Sequence, residues 1–367
     1  MYNKDLKYMM VLSLVEGVGP VNAKRLVAYC GSAEQVFKEK KSSLEKIPGI
    51  GEYSAKCVVK QFPMDRVEQE IKFMEKHDVQ ACSYLDKNYP QRLRNCEDGP
   101  IVLYSKGNTD VNVPRVVSIV GTRKPTDYGK DFTEKIVKEL KDADVLVLSG
   151  LAYGIDITAH RAAMQNNLQT VGVVAHGLDE IYPGVHRSAA EKMMHNGGIL
   201  TEYMSNTNPD KENFPSRNRI VAGMSDAVIV IETAVKGGSM ITANLGNDYN
   251  RDVFALPGKI TDEVSAGCNR LIRSNRAALL ESPKDFIEAM GWQPSSKKQK
   301  HIQQQLFIDL DEREQKVMDL LKNKGNTGVD ILAVESGIAM SQLSSLLLTM
   351  EFKGIIRSLP GKMYTLA

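Results

Sequence analysis

Val116-Val117-Ser118-Ile119-Val120 is a short run of strand character that stops at Gly121 and leads through Thr122 into Arg123. The theme recurs at Val145–Ser149, Thr170–Ala175, Gly198–Thr201, Val228–Glu232 and Asp252–Leu256, each a brief apolar run rich in strand formers. Continuous runs of this kind belong to buried strands, and the segments between them are long enough to hold crossover helices. The pattern predicts an α/β fold, a Rossmann-like, doubly wound and mostly parallel sheet.

Both flanks of this core read differently. Within residues 8–60, Leu14-Val15-Glu16-Gly17-Val18-Gly19-Pro20-Val21-Asn22-Ala23-Lys24-Arg25-Leu26 is echoed by Leu44-Glu45-Lys46-Ile47-Pro48-Gly49-Ile50-Gly51-Glu52-Tyr53-Ser54-Ala55-Lys56. Each copy gives a helix, a Gly-hydrophobic-Gly hairpin and a second helix with a basic residue, so the region resembles a tandem helix-hairpin-helix. Such hairpins either present N–H groups to a nucleic-acid phosphate or only pack their helices together. Arg66–His77 starts helical, and the stretch around 99–104 reads as a strand leading onto the edge of the main sheet. Residues 292–305 are polar, basic and proline-marked, the composition of a linker. Beyond them lie three helical patterns, Asp311–Lys322, Gly328–Ser336 and Ser341–Phe352. Two strands joined by a hairpin at Pro360-Gly361 follow, completing the outline of a winged helix. The expected divisions are a helical domain at 1–65, a connecting region and sheet domain at 66–290, a linker at 291–305 and a winged helix at 306–367.

The predicted sheet carries its unusual residues at strand ends: Gly121-Thr122-Arg123, Gly150-Leu151-Ala152-Tyr153-Gly154, Gly177-Leu178-Asp179 and Gly237-Gly238-Ser239. Open α/β sheets bind ligands outside the carboxyl ends of their strands, where glycines let backbone N–H groups and helix N-termini approach an anion. Phosphate is the natural candidate. The sequence contains neither Gly-x-Gly-x-x-Gly nor Gly-x4-Gly-Lys-Ser/Thr, so no dinucleotide or ATP cofactor is expected. A second cluster lies at 208–221, where Phe214 is flanked by Lys211, Arg217 and Arg219. A stacking plane beside phosphate-neutralising cations suits single-stranded nucleic acid. The plainer alternative makes Phe214 a core residue and has the arginines tie their helix to acidic neighbours.

Length and composition narrow this picture. At 367 residues the chain suggests roughly two to three domains. A net charge of +2 and a pI near 8.1 are too mild to announce nucleic-acid binding, which must therefore be argued from local clusters. Five scattered cysteines without a Cys-x-x-Cys pair read as free thiols of a reducing cytoplasm, and no metal site is expected. The amino-terminal stretch has no apolar signal region and no run of about 18 apolar residues follows, so a soluble, cytoplasmic protein without a membrane partner is expected.

Val120-Gly121-Thr122-Arg123-Lys124-Pro125-Thr126, Ser149-Gly150-Leu151-Ala152-Tyr153-Gly154-Ile155-Asp156 with Ala159-His160, Gly177-Leu178-Asp179 with Tyr182-Pro183, Phe214-Pro215-Ser216-Arg217-Asn218-Arg219, and Gly238-Ser239-Met240-Ile241-Thr242-Ala243 together resemble the DNA-processing protein A family, DprA or Smf. The resemblance covers nearly the entire chain. It implies an extended Rossmann-like domain flanked by an amino-terminal helical domain and a carboxy-terminal winged helix. It further implies a cytoplasmic, non-enzymatic homodimer that binds and protects single-stranded DNA. In natural transformation such a protein loads the RecA recombinase onto strands coated with the single-strand-binding protein SSB. Carried onto matching positions, it implies a pocket of Gly121, Thr122 and Arg123 with Lys211, Phe214, Arg217 and Asn218, closed by Gly238 and Ser239. Arg187, after Tyr182-Pro183, would add a phosphate contact. Gly237 departs from the serine that many relatives carry there.

Two other functions compete. Asp156 and His160 stand one helical turn apart, a possible acid–base or metal geometry, yet no third ligand or nucleophile accompanies them, and cap and packing roles explain both. No catalytic residue is assigned. The sheet also resembles, more distantly, nucleotide phosphoribohydrolases of the lysine decarboxylase-like fold. Their Pro-Gly-Gly-x-Gly-Thr-x-x-Glu loop is replaced here by Glu232–Thr242, without the catalytic Glu. A duplex-DNA regulator acting through the winged helix is the remaining alternative. Its expected recognition helix, Ser341–Phe352, has no Lys or Arg, which favours a protein-contact or auxiliary role.

Overall fold

The computed structural model describes residues 4–108, 110–292, 310–359 and 362–366. Contacts divide the chain into two compact units, Met1–Ser295 and Ser296–Ala367. The expected linker falls almost wholly outside the described residues.

The first unit is organised by nine strands: β1 (Gln80–Ser83), β2 (Val102–Gly107), β3 (Val116–Gly121), β4 (Leu146–Ser149), β5 (Thr170–Val173), β6 (Gly197–Thr201), β7 (Ala227–Ile231), β8 (Asp252–Ala255) and β9 (Ala278–Leu279). Their order is β1-β2-β6-β5-β4-β3-β7-β8-β9. The seven strands from β6 to β9 run parallel, while β2 runs antiparallel to β6 and β1 antiparallel to β2. Every residue of β4, β5, β6 and β7 is buried, because helices cover both faces. Alternate residues of β3 feed the two layers. Val117 and Ile119 meet Phe132, Ile136 and Ala159 on one face, and Val116 and Val120 meet Ile220 and Val221 on the other. The continuous apolar runs in the sequence are the signature of this double covering.

From β3 the chain winds outward through β4, β5 and β6, then returns to place β7 on the other side of β3. The winding direction reverses between β3 and β7. At such a point the helices following adjacent strands lie on opposite faces and leave a crevice at the carboxyl ends.

The expected edge strand lies one place further in. β2 pairs with β6 but is itself flanked by β1, so Gln80–Ser83 forms the edge. The helical region is not a separate body either. Leu6, Met10, Leu26, Leu44 and Val58 share one apolar core with Ile101, Val102, Tyr104 and Met204.

The two Gly-hydrophobic-Gly hairpins form, with Gly17 at φ 75° and Gly49 at φ 85°, the left-handed region that favours glycine. Each hairpin is covered by a side chain of the helix following the other. A Cβ at Gly17 would lie 2.5 Å from the Tyr53 ring, and one at Gly49 would lie 2.2 Å from the Arg25 guanidinium. Tyr53 donates to Glu16 (3.0 Å) and Ser54 to the Gly17 carbonyl (2.7 Å). Lys24 donates to the carbonyls of Cys96 and Glu97, at 2.9 and 3.0 Å. The basic residues of the first copy thus hold the connecting segment.

The second unit contains the helices Glu312–Lys324, Val329–Ser336 and Met340–Phe352 and the strands β10 (Thr327–Gly328), β11 (Ile356–Leu359) and β12 (Met363–Leu366). The strands form an antiparallel sheet in the order β10-β12-β11. Asp311 and Glu314 make a reciprocal capping box at the first helix. Leu343, Leu347 and Met350 face a core with Val317, Leu321, Leu332 and Ile356. This is a winged helix; the expected Pro360-Gly361 turn lies outside the described residues.

Candidate nucleic-acid interface

The crevice between β3 and β7 holds a cavity of about 280 Å³. Gly121, Thr122 and Arg123 line it from β3, Gly150 and Asp156 from β4 and its helix, Arg217 and Asn218 from the helix Asn213–Gly223, and Gly237, Gly238 and Ser239 from the segment after β7. Gly121 is required by close packing, since a Cβ there would sit 1.9 Å from the Ile231 carbonyl oxygen. The helix Gly238–Asp248 starts at the crevice without a side-chain cap. Its first N–H groups, together with the positive end of its dipole, are the kind of feature that receives an anion. A Cβ at Gly238 would meet nothing within 4 Å, so this wall is open.

Glu232, the last residue of the sequence-predicted strand, ties the two sides together. It is buried, with φ at 52°. Its carbonyl accepts from Thr122 N (2.7 Å), and its carboxylate accepts from Thr126 N (2.8 Å) and from the Thr126 hydroxyl. Thr126 is in turn the N-cap of the helix Asp127–Glu139. A carboxylate beside a helix N-terminus is favourable for the dipole as well as for the hydrogen bonds. The β3 loop is therefore held from β7.

The β4 loop is held by a second device, and here one expectation is corrected. Arg217 was expected to neutralise a phosphate, but it is only 4% exposed. Its Nη1 donates to the Gly150 carbonyl (2.5 Å) and to that of Val173. Arg217 stands on the inward stripe of its helix with Ile220 and Val221, which carries the guanidinium beneath the loop instead of into solvent. Asp156 completes the clamp, accepting from Gly150 N at 3.2 Å and Ala152 N at 3.3 Å. Gly150 is thus gripped at both its N–H and its carbonyl. Burial pushes the Asp156 carboxyl above its ordinary range, opposed by the positive Arg217. Burial likewise lowers Arg217, with Asp156 pulling the other way.

His160 does not join Asp156 in any acid–base pair. Its Nδ1 meets the Thr170 hydroxyl at 2.7 Å, and that hydroxyl donates to the Val147 carbonyl at 2.9 Å, so Nδ1 is the donor. Burial, reinforced by His186 and Arg217, holds its pKa down to about 3. His160 is a neutral packing residue.

The exposed rim carries the remaining site residues. Arg123 is exposed, and its guanidinium carbon lies 5.5 Å from the centroid of the half-buried Phe214 ring. This is cation–π geometry at the mouth of the cavity. Phe214 belongs to none of the apolar cores of the described residues. Asn218 reaches toward the Gly238 carbonyl at 3.5 Å. Lys211 is exposed just ahead of the Phe214 helix, and Arg187 is exposed at the start of the helix Arg187–Met193; neither lines the cavity. Arg219 follows the plainer alternative, bonded to Glu202 and to the Asp98 carbonyl. Sequence reasoning missed the part of Glu232, whose only signal was a charged residue ending an otherwise apolar strand.

The sequence model described as DNA recombination-mediator protein A matches residues 80–291, and that described as DprA winged helix domain matches 304–362. A Synechocystis protein named Protein Smf is 32% identical over 99% of both chains. The DNA processing protein DprA of Streptococcus pneumoniae is 39% identical over 56% of this chain and 72% of its own. The X-ray structure of that protein superposes with a TM-score of 0.65 at 32% identity, covering 77% of this chain and 97% of the other. DNA processing protein A from Helicobacter pylori, solved to show its single-stranded DNA binding mode, gives a TM-score of 0.53 at 32% identity, covering 58% and 95%. With its sheet domain, its winged helix and its whole length matched in these ways, the chain belongs to the DNA recombination-mediator protein A family, DprA or Smf.

Proposed function

We propose that the crevice between β3 and β7 binds single-stranded DNA with little sequence selectivity. The observation that carries this reading is the rim: a partly exposed Phe214 face under the Arg123 guanidinium, beside an uncapped, glycine-lined helix N-terminus. The ring supports a base, while Arg123, Lys211 and the N–H groups at Gly238 and Ser239 receive phosphates. Arg187 is a further exposed cation on the same domain. Stacking on one aromatic ring contributes about 1–3 kcal/mol per base and tolerates any base, which favours binding over sequence reading. The Helicobacter pylori relative, described as a single-stranded DNA binder, supports the same assignment. Titration of labelled single-stranded and duplex oligonucleotides of one sequence tests it. Tighter binding to the single strand is expected, and equal or tighter binding to the duplex would refute it.

Membership of the family supports a finer reading, in which a homodimer delivers the RecA recombinase to DNA coated with SSB during natural transformation. No Gly-x4-Gly-Lys-Ser/Thr loop is present, so the delivery would consume no ATP of its own. The rate of RecA filament growth on SSB-coated strands should rise with added protein; an unchanged rate over a wide concentration range would contradict it. Asp156 and His160, the only pair that suggested acid–base chemistry, are engaged in the β4 loop and the core, which supports binding over catalysis.

A further inference from the structure

We propose that the DNA track continues beyond Phe214 onto Tyr182, which forms a second platform for the neighbouring base. This inference rests on the single-strand reading above. Tyr182 is 44% exposed, and its ring centroid lies 6.2 Å from that of Phe214, with the planes tilted by 57°. That geometry excludes a single base shared between the two rings. A base held flat between two aromatic planes needs about 7 Å, twice the ~3.5 Å van der Waals separation, and needs the planes parallel. Tilted rings at this spacing instead offer two faces to two successive bases. Arg123 lies over Phe214, so the row runs cation, ring, ring, a basic and aromatic track of the sort a single strand follows.

The second platform is rigidly mounted, which reduces the ordering cost of binding. The backbone N–H of Tyr182 donates to Nε2 of the buried His176 at 3.2 Å, so His176 donates from Nδ1 to the Gly177 carbonyl at 2.7 Å. Further along the same loop, the buried His186 donates from Nδ1 to the Leu151 carbonyl at 2.9 Å, which joins it to the β4 loop. The exposed ring of Tyr153 packs edge-on against His186 at 5.1 Å.

Oligothymidylates of increasing length, titrated against wild type, Tyr182→Ala, Tyr182→Phe and Phe214→Ala, test the proposal. Tyr182→Ala should weaken binding of the longer oligomers by about ten- to a hundredfold and leave the shortest oligomer that still binds unaffected. Tyr182→Phe should bind like wild type at every length, because it keeps the stacking face. Phe214→Ala should weaken binding at all lengths. Replacing Tyr182 by Trp adds a direct readout, since its fluorescence should be quenched when a base stacks on it; the native Trp292 is buried and serves as background. Wild-type affinity for Tyr182→Ala at every length, with Phe214→Ala impaired, would overturn the second platform and leave the crevice assignment standing. Unimpaired Phe214→Ala and Arg123→Ala would overturn the crevice assignment, and the second platform with it.

Discussion

Replacing Arg217 by alanine separates a structural cation from a DNA-binding one. The substitution frees the carbonyls of the half-buried Gly150 and the buried Val173, and removes the positive group near the buried Asp156 carboxylate. An unpaired buried polar group costs about 1–3 kcal/mol. The Asp156 carboxylate also loses the Coulombic attraction of the guanidinium, and these losses overlap because one guanidinium serves them all. A total near 4 kcal/mol, at about 2–4 °C of melting temperature per kcal/mol for a domain of some 150–250 residues, predicts a fall of roughly 8–16 °C. Binding to single-stranded DNA should weaken because the Gly150 loop loses its clamp. The slope of log affinity against log salt should nevertheless stay at the wild-type value, since no phosphate contact is lost. Arg217→Lys should lie between, because one ammonium keeps the charge without the planar fork that fits the loop. The assays are thermal melting and salt-dependent fluorescence anisotropy on the same samples, the latter well below the midpoint. A melting temperature within about 1 °C of wild type together with a flattened salt slope would refute the clamp and return Arg217 to the DNA.

Glu232→Ala should lower stability by about 1–3 kcal/mol in denaturant unfolding and weaken DNA binding, because Thr126 and the β3 loop lose their anchor; unchanged stability would show that the carboxylate is dispensable. His160 refuses a proton in the folded protein down to about pH 3, whereas the unfolded chain accepts one near 6.5, so stability is complete above about 6.5 and falls as pH drops. The His160 contribution to the slope should reach about 1.4 kcal/mol per pH unit between roughly pH 6 and 5 and be lost in His160→Gln; the raised Asp156 works in the opposite sense, from its ordinary 3.8 upward. A chain ending after Trp292 should keep most single-strand affinity, and a loss beyond about a hundredfold, ~2.7 kcal/mol, would make the winged helix a principal DNA surface.

The parallel strands were legible because strands covered on both faces are apolar nearly throughout; in β3 to β8 the exceptions are the small buried hydroxyls of Ser118, Ser149, Thr170 and Thr201 and the exposed first residue Asp252. β1 was not legible: Gln80-Ala81-Cys82-Ser83 is a half-exposed edge whose mixed polarity resembles a loop. Of the glycines at the strand ends, Gly121, Gly150, Gly237 and Gly238 line one cavity, because the topology of a doubly wound sheet brings those ends together, whereas Gly154 and Gly177 lie outside its lining. The direction of a single side chain was beyond the sequence. Arg217 and Arg219 are two residues apart in one basic stretch, yet one dives under Gly150 and the other pairs with Glu202. Phe214 read as a stacking platform with a core role as the alternative, and its neighbours are Arg123 and Tyr182. Tyr182 itself follows the Gly177-Leu178-Asp179 loop more than thirty residues earlier in the chain, and no local pattern links it to Phe214.

The central claim is that DNA phosphates meet cations at this rim while a base rests on Phe214. The salt dependence of single-strand binding by wild type, Arg123→Ala, Lys211→Ala and Phe214→Ala tests it most directly. Each lost cation should reduce the slope of log affinity against log salt by about 0.7, whereas Phe214→Ala should cost about 1–3 kcal/mol at an unchanged slope. Wild-type slopes for both Arg123→Ala and Lys211→Ala would contradict the account and place the DNA elsewhere, with the helix-hairpin-helix region the next surface to probe.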